Sequence, residues 1–123
     1  MKAFLLLGSI NAFLAVVLGA FGAHGLKDKL TPDQLAVYQT GVQYHMYHAL
    51  GLILVAILAD RLAGSSLITW SGWSMFIGIL LFSGSLYALT LTGIKVLGAI
   101  TPIGGVAFLI GWLLLFVAAL RNL

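Results

Sequence analysis

Long uncharged apolar stretches alternate along this chain with short segments that hold all of its charges. A helix needs about 20 apolar residues to cross roughly 30 Å of hydrocarbon. Four stretches meet that length: Ala3–Ala23, Leu35–Ala59, Trp70–Leu91 and Gly98–Leu120. Lys2, Lys27, Asp28, Lys29, Asp33, Asp60, Arg61, Lys95 and Arg121 all fall outside them. Hydrocarbon offers no partner to a free backbone amide, so single segments of this kind cross it as helices. The pattern predicts an all-α, membrane-spanning four-helix bundle. Its spans are 3–23, 35–59, 70–91 and 98–120, within a single integral membrane domain covering 1–123.

Local signals refine the spans. Thr31-Pro32-Asp33-Gln34 places a hydroxyl at the N-cap, Pro at the first helical position and Gln at the third, a capping box aligned with the helix dipole. The second helix therefore starts outside the hydrocarbon. Trp70 and Trp73 read as interfacial anchors of the third. Lys2 and the small residues Ala20 and Gly22 resemble a signal peptide, but the first apolar run is longer than such a core, so a retained span is expected. With four crossings, Lys2, Arg61 and Arg121 share one side and Lys27, Lys29 and Lys95 the other, a tie that leaves in/out orientation open, insertion both ways included. Gly8, Ala12, Ala15, Gly19 and Ala23, with Gly104, Ala107 and Gly111, keep the small-xxx-small spacing that lets helices approach closely, within one bundle or in a homo-oligomer.

Composition narrows the function classes. The 123 residues are 62% hydrophobic and 7% charged, more apolar surface than a soluble fold of this size can bury. There is no Cys, hence no disulfide or thiolate metal site. The net charge of +3 comes from scattered cations that form no basic patch, so no nucleic acid partner is expected. Gly19-Ala20-Phe21-Gly22 lies inside a span and is no nucleotide loop. Ser9, Ser83 and Ser85 have no acid placed to orient a histidine, and no carboxylate lies inside a span to relay protons. A non-enzymatic protein without a cofactor is the reading these absences favour.

The remaining chemistry gathers near one membrane face. His24 ends the first span there; Gln43, Tyr44, His45 and His48 lie in the first half of the second; Ser83, Ser85 and Tyr87 close the third; Thr101 opens the fourth. At about 100° per residue, Tyr38, Gly41, Tyr44, His45, His48 and Gly51 share an arc of about 140° on the second helix. Val42, Met46, Leu50, Ile53 and Ile57 fall on its other side, which suits lipid. Ser83, Tyr87 and Thr90 recur on one face of the third, so the two polar faces should meet. Three readings fit: a hydrogen-bonded plug that fixes helix register, a pocket near that face taking a small ligand or membrane lipid, or a metal or haem site. The last would use His24, His45 and His48, with Asp28 and Asp33 to complete a zinc set. A small oligomeric transporter or channel is a further class, motivated by the glycines.

The stretches GAFGAHGLK (19–27), TGVQYHMYHALGL (40–52), FSGSLYALTLTG (82–93) and LGAITPIGG (97–105) resemble, in order and over nearly the whole chain, the family called domain of unknown function 423. It is also called UPF0382, and its eukaryotic relatives transmembrane protein 256. The resemblance implies a small multi-pass protein of the bacterial plasma membrane and implies no activity or protein partner. The motif positions it carries over are His24, Gln43, Tyr44, His45, His48, Ser83, Ser85, Tyr87, Thr101 and Pro102.

Overall fold

In a computed structural model, residues 2–62 and 65–123 are described; positions 63 and 64 of the loop between the second and third spans, and residue 1, lie outside them. Among the described residues, four helices are long and apolar enough to cross a membrane. They are α1 (Lys2–His24), α2 (Pro32–Leu58), α3 (Ser66–Thr92) and α4 (Thr101–Asn122), the last preceded by a 3-10 turn over Lys95–Ala99. No strand occurs among the described residues. The protein is an all-α membrane-spanning bundle.

α2 outruns its apolar stretch at the N-terminus, where a polar cap precedes it. The Thr31 hydroxyl accepts from the Gln34 amide at 3.2 Å, and the Gln34 side chain accepts from the Thr31 amide at 3.0 Å. α2 therefore begins at Pro32. At the other end of α3, Gly93 adopts φ +74°, a left-handed conformation that suits glycine, and its amide closes the last turn on the Leu89 carbonyl.

α2 and α3 form the buried pair, with α1 packed on α2 and α4 packed on α3. Between them lies a core of Phe4, Leu52, Val55, Met75, Ile79 and Phe108. Hydrophobicity does not drive helices together in lipid, so close packing and interhelical hydrogen bonds must. Both are present. Tyr38 donates to the Leu18 carbonyl of α1 at 2.6 Å, Ser83 to the Gly41 carbonyl of α2 at 2.7 Å, and Ser71 to the Gly111 carbonyl of α4 at 2.6 Å. A helical carbonyl keeps a second lone pair for such a donor, and the glycines at 41 and 111 let the donor reach it.

Two expectations about lipid-facing positions divide. Leu50 and Ile57 are exposed. Val42 and Ile53 instead pack on α1, where a Cβ at Gly19 would touch Val42 and one at Gly8 would collide with Ile53. The small-residue stripe of α1 thus takes up that face of α2.

Candidate functional site

One turn of α3 departs from α geometry and sets the site. Ile79–Ser83 forms a π turn, a widening by one residue often found at functional positions. It seats against α4 at Gly104, where an added Cβ would strike the Phe82 backbone. Phe82 is thereby turned toward α4, while Ser83 and Tyr87 face α2.

The polar faces of α2 and α3 meet. His45, buried halfway along α2, has both ring nitrogens engaged: Nδ1 lies 2.9 Å from the Tyr87 hydroxyl and Nε2 lies 2.8 Å from Asn11 Oδ1. The directions follow from the ends of this chain. Asn11 Nδ2 donates to the Leu7 carbonyl at 2.8 Å, which leaves its oxygen to accept from His45 Nε2–H. Nδ1 must then accept from Tyr87. One tautomer satisfies three helices at once.

His48 is fixed as firmly and by different partners. The Trp112 indole N–H can only donate, and it donates to His48 Nε2 at 2.9 Å. His48 Nδ1 therefore carries the proton and donates to the Tyr44 carbonyl at 2.7 Å. The imidazole lies flat on Phe108, with centroids 3.5 Å apart and planes 7° from parallel. Burial without an unpaired atom is the rule for polar groups in an apolar medium. Both histidines obey it.

Beside His48 the bundle opens. A cavity of about 360 Å³ lies between α2, α3 and α4, lined chiefly by Tyr44, Tyr47, Phe82, Gly105, Phe108 and Trp112. Tyr44 sits 4.9 Å from Phe82, centroid to centroid, and 5.7 Å from Tyr47. The Tyr47 hydroxyl accepts from Gln43 Nε2 at 2.6 Å. The Tyr44 hydroxyl has no hydrogen-bond partner among the described residues, although Tyr44 stands about 18 Å along α2 from Pro32, at hydrocarbon depth.

The other expected residues take separate places. Ser85 donates to the Phe82 carbonyl at 2.9 Å, so at 2.6 Å Thr101 donates to Ser85, tying the end of α3 to the start of α4. Gln43 lies on the exposed surface of α2. His24 is exposed at the end of α1 and joins neither histidine. Among the described residues no three His, Asp or Glu side chains come together to hold a metal ion. The zinc set of His24, His45, His48, Asp28 and Asp33 is therefore not formed, and every nitrogen of His45 and His48 already has a partner within the protein. The centre of the cluster lies at mid-helix on α2.

Asn11 and Trp112 are the site residues that sequence reasoning left out. Each carried a signal. Asn11 is the sole amide side chain inside α1, where hydrocarbon demands a partner for it, and Trp112 stands mid-span rather than at the interface where tryptophans anchor.

Comparison with known proteins bears on the whole chain. The family described as protein of unknown function (DUF423) matches residues 18–105. A Bacillus subtilis protein, UPF0382 membrane protein YwdK, is 63% identical over 123 residues, covering all of both chains. A UPF0382 membrane protein of Staphylococcus epidermidis is 50% identical over 98% of each chain. One of Staphylococcus saprophyticus is 50% identical over 98% of this chain and 99% of its own. No solved structure matches.

Proposed function

Because the chain belongs to the DUF423 family of UPF0382 membrane proteins, we propose that it works in the bacterial plasma membrane by binding rather than by catalysis. The groove between α2, α3 and α4 takes a small amphiphile or lipid from the bilayer. The observation that carries this reading is the cavity of about 360 Å³ itself, within the roughly 300–1,000 Å³ of small-molecule sites. It lies where three helices meet, walled by aromatic rings beside a histidine that Trp112 hydrogen-bonds. A preformed wall of this kind lowers the ordering cost of binding. The relatives' bacterial sources support the location.

Gly105 provides the test. A Cβ there would meet only the Phe82 ring at 3.8 Å, so Gly105→Leu should fold and fill the groove. Native mass spectrometry of protein extracted in mild detergent should find a co-purifying lipid or amphiphile on the wild type and a depleted one on Gly105→Leu. Identical adducts on both would refute the reading.

A further inference from the structure

The groove differs from the rest of the bundle in the hydrogen bonds it leaves unmade. Ser9, Thr40 and Thr92, exposed on their helices, each turn a hydroxyl back to the carbonyl four residues earlier. The Tyr44 hydroxyl has no such recourse, because a phenol cannot fold back on its own backbone. The Tyr47 oxygen already accepts from Gln43, which leaves its proton to be donated. Both phenols stand one turn apart at the rim of the same cavity. An unpartnered hydroxyl in hydrocarbon is costly. Tyr44 and Tyr47, each with a proton not donated within the described residues, both line the groove.

Charge and shape restrict the acceptor further. None of the lining residues is charged, so a phosphate or carboxylate head would be drawn to mid-membrane without a counter-ion. The acceptor is therefore neutral. The walls are ring faces and edges, Tyr44 lying near Phe82 and Phe108 and Trp112 tilted beside His48. A flat ring in offset or edge contact with such walls gains attraction beyond the area it buries, through the ring quadrupoles. Resting on the binding reading above, we propose that the groove is a site for a neutral lipid with a flat, carbonyl-bearing ring as its head, a prenylated quinone. Tyr44 and Tyr47 donate to its carbonyl oxygen and the tail leaves toward lipid. Binding alone is claimed; no electron or proton transfer is part of it.

Trp112 reports on the site once Trp70→Phe and Trp73→Phe leave it as the single tryptophan. Titrating that full-length protein in micelles with decylubiquinone should quench its fluorescence saturably. Tyr44→Phe should weaken the quinone about three- to tenfold, the loss of one hydrogen bond. It should not lower the melting temperature, since the hydroxyl has no partner in the folded protein. Gly105→Leu should abolish saturation and so separates binding from partition into the micelle. Quenching that never saturates, or that Tyr44→Phe leaves unchanged, overturns the proposal. If decylubiquinone fails while dioleoylglycerol binds in a Gly105-dependent manner, the ring assignment falls and the groove reading stands. If neither binds and no co-purifying lipid responds to Gly105→Leu, both fall.

Discussion

The Asn11–His45–Tyr87 junction and the groove beside His48 stand on neighbouring turns of the same helix, yet they treat polar atoms in opposite ways. At His45 every donor meets an acceptor, across three helices, and the side chain is 4% exposed. At the groove the imidazole is equally satisfied, but the Tyr44 hydroxyl has no partner among the described residues and the Tyr47 hydroxyl only accepts. Closed networks at this depth fix register, because any slip strands a buried polar group. An open rim of donors fixes nothing by itself and invites a partner from outside. On the proposed reading, two chemically similar clusters carry different roles: one holds the bundle, the other is available.

Substitutions can break that contrast or sharpen it. The largest effect is expected at the closed junction. His45→Ala removes a buried ring and leaves both the Asn11 oxygen and the Tyr87 hydroxyl unpaired, a loss of about 3 kcal/mol or more. Thermal melts in detergent should show it, and adding Asn11→Ala should cost much less than it does alone, because the partner is already gone. Next comes the glycine pair of α4. Gly104→Ala drives a Cβ into the Phe82 backbone and should cost about 1–3 kcal/mol, whereas Gly105→Ala should stay within about 0.5 kcal/mol. Smallest of the three is Trp112→Phe. It keeps the ring but withdraws the donor from His48 Nε2, an expected loss of about 1–2 kcal/mol. If Trp112→Phe proved as damaging as His45→Ala, the two clusters would not differ in kind and the groove would be part of the scaffold.

Much of this was readable in the sequence, for identifiable reasons. The segregation of charge from apolar runs leaves a four-span bundle as the natural arrangement, and the Thr31-to-Gln34 box marks where α2 begins. Helical periodicity put His45, His48, Ser83 and Tyr87 on faces that do meet. It could not assign partners. Ser83 answers a backbone carbonyl rather than an imidazole, and both histidines pair with residues from the outer helices, Asn11 and Trp112. Which helix stands beside which is a property of packing, and no spacing within α2 encodes it. Val42 and Ile53 show the same limit: apolar residues on an apolar face do not tell lipid from a glycine-lined neighbour.

The wide turn at Ile79–Ser83 has a consequence for how α3 tolerates change in length. It already carries one residue beyond a regular helix and its slower winding absorbs the added rotation, so a single deletion there would let the segment relax to α geometry with Gly84–Thr92 facing much as before, whereas a deletion in a regular stretch ahead of it would rotate all that follows by about 100°. Only the second deletion would swing Ser83 and Tyr87 off α2, although no side chain at the junction had been altered. Outside that turn, residue number is as much a determinant of the junction as residue identity, and an insertion-deletion scan along α3 would read the two apart.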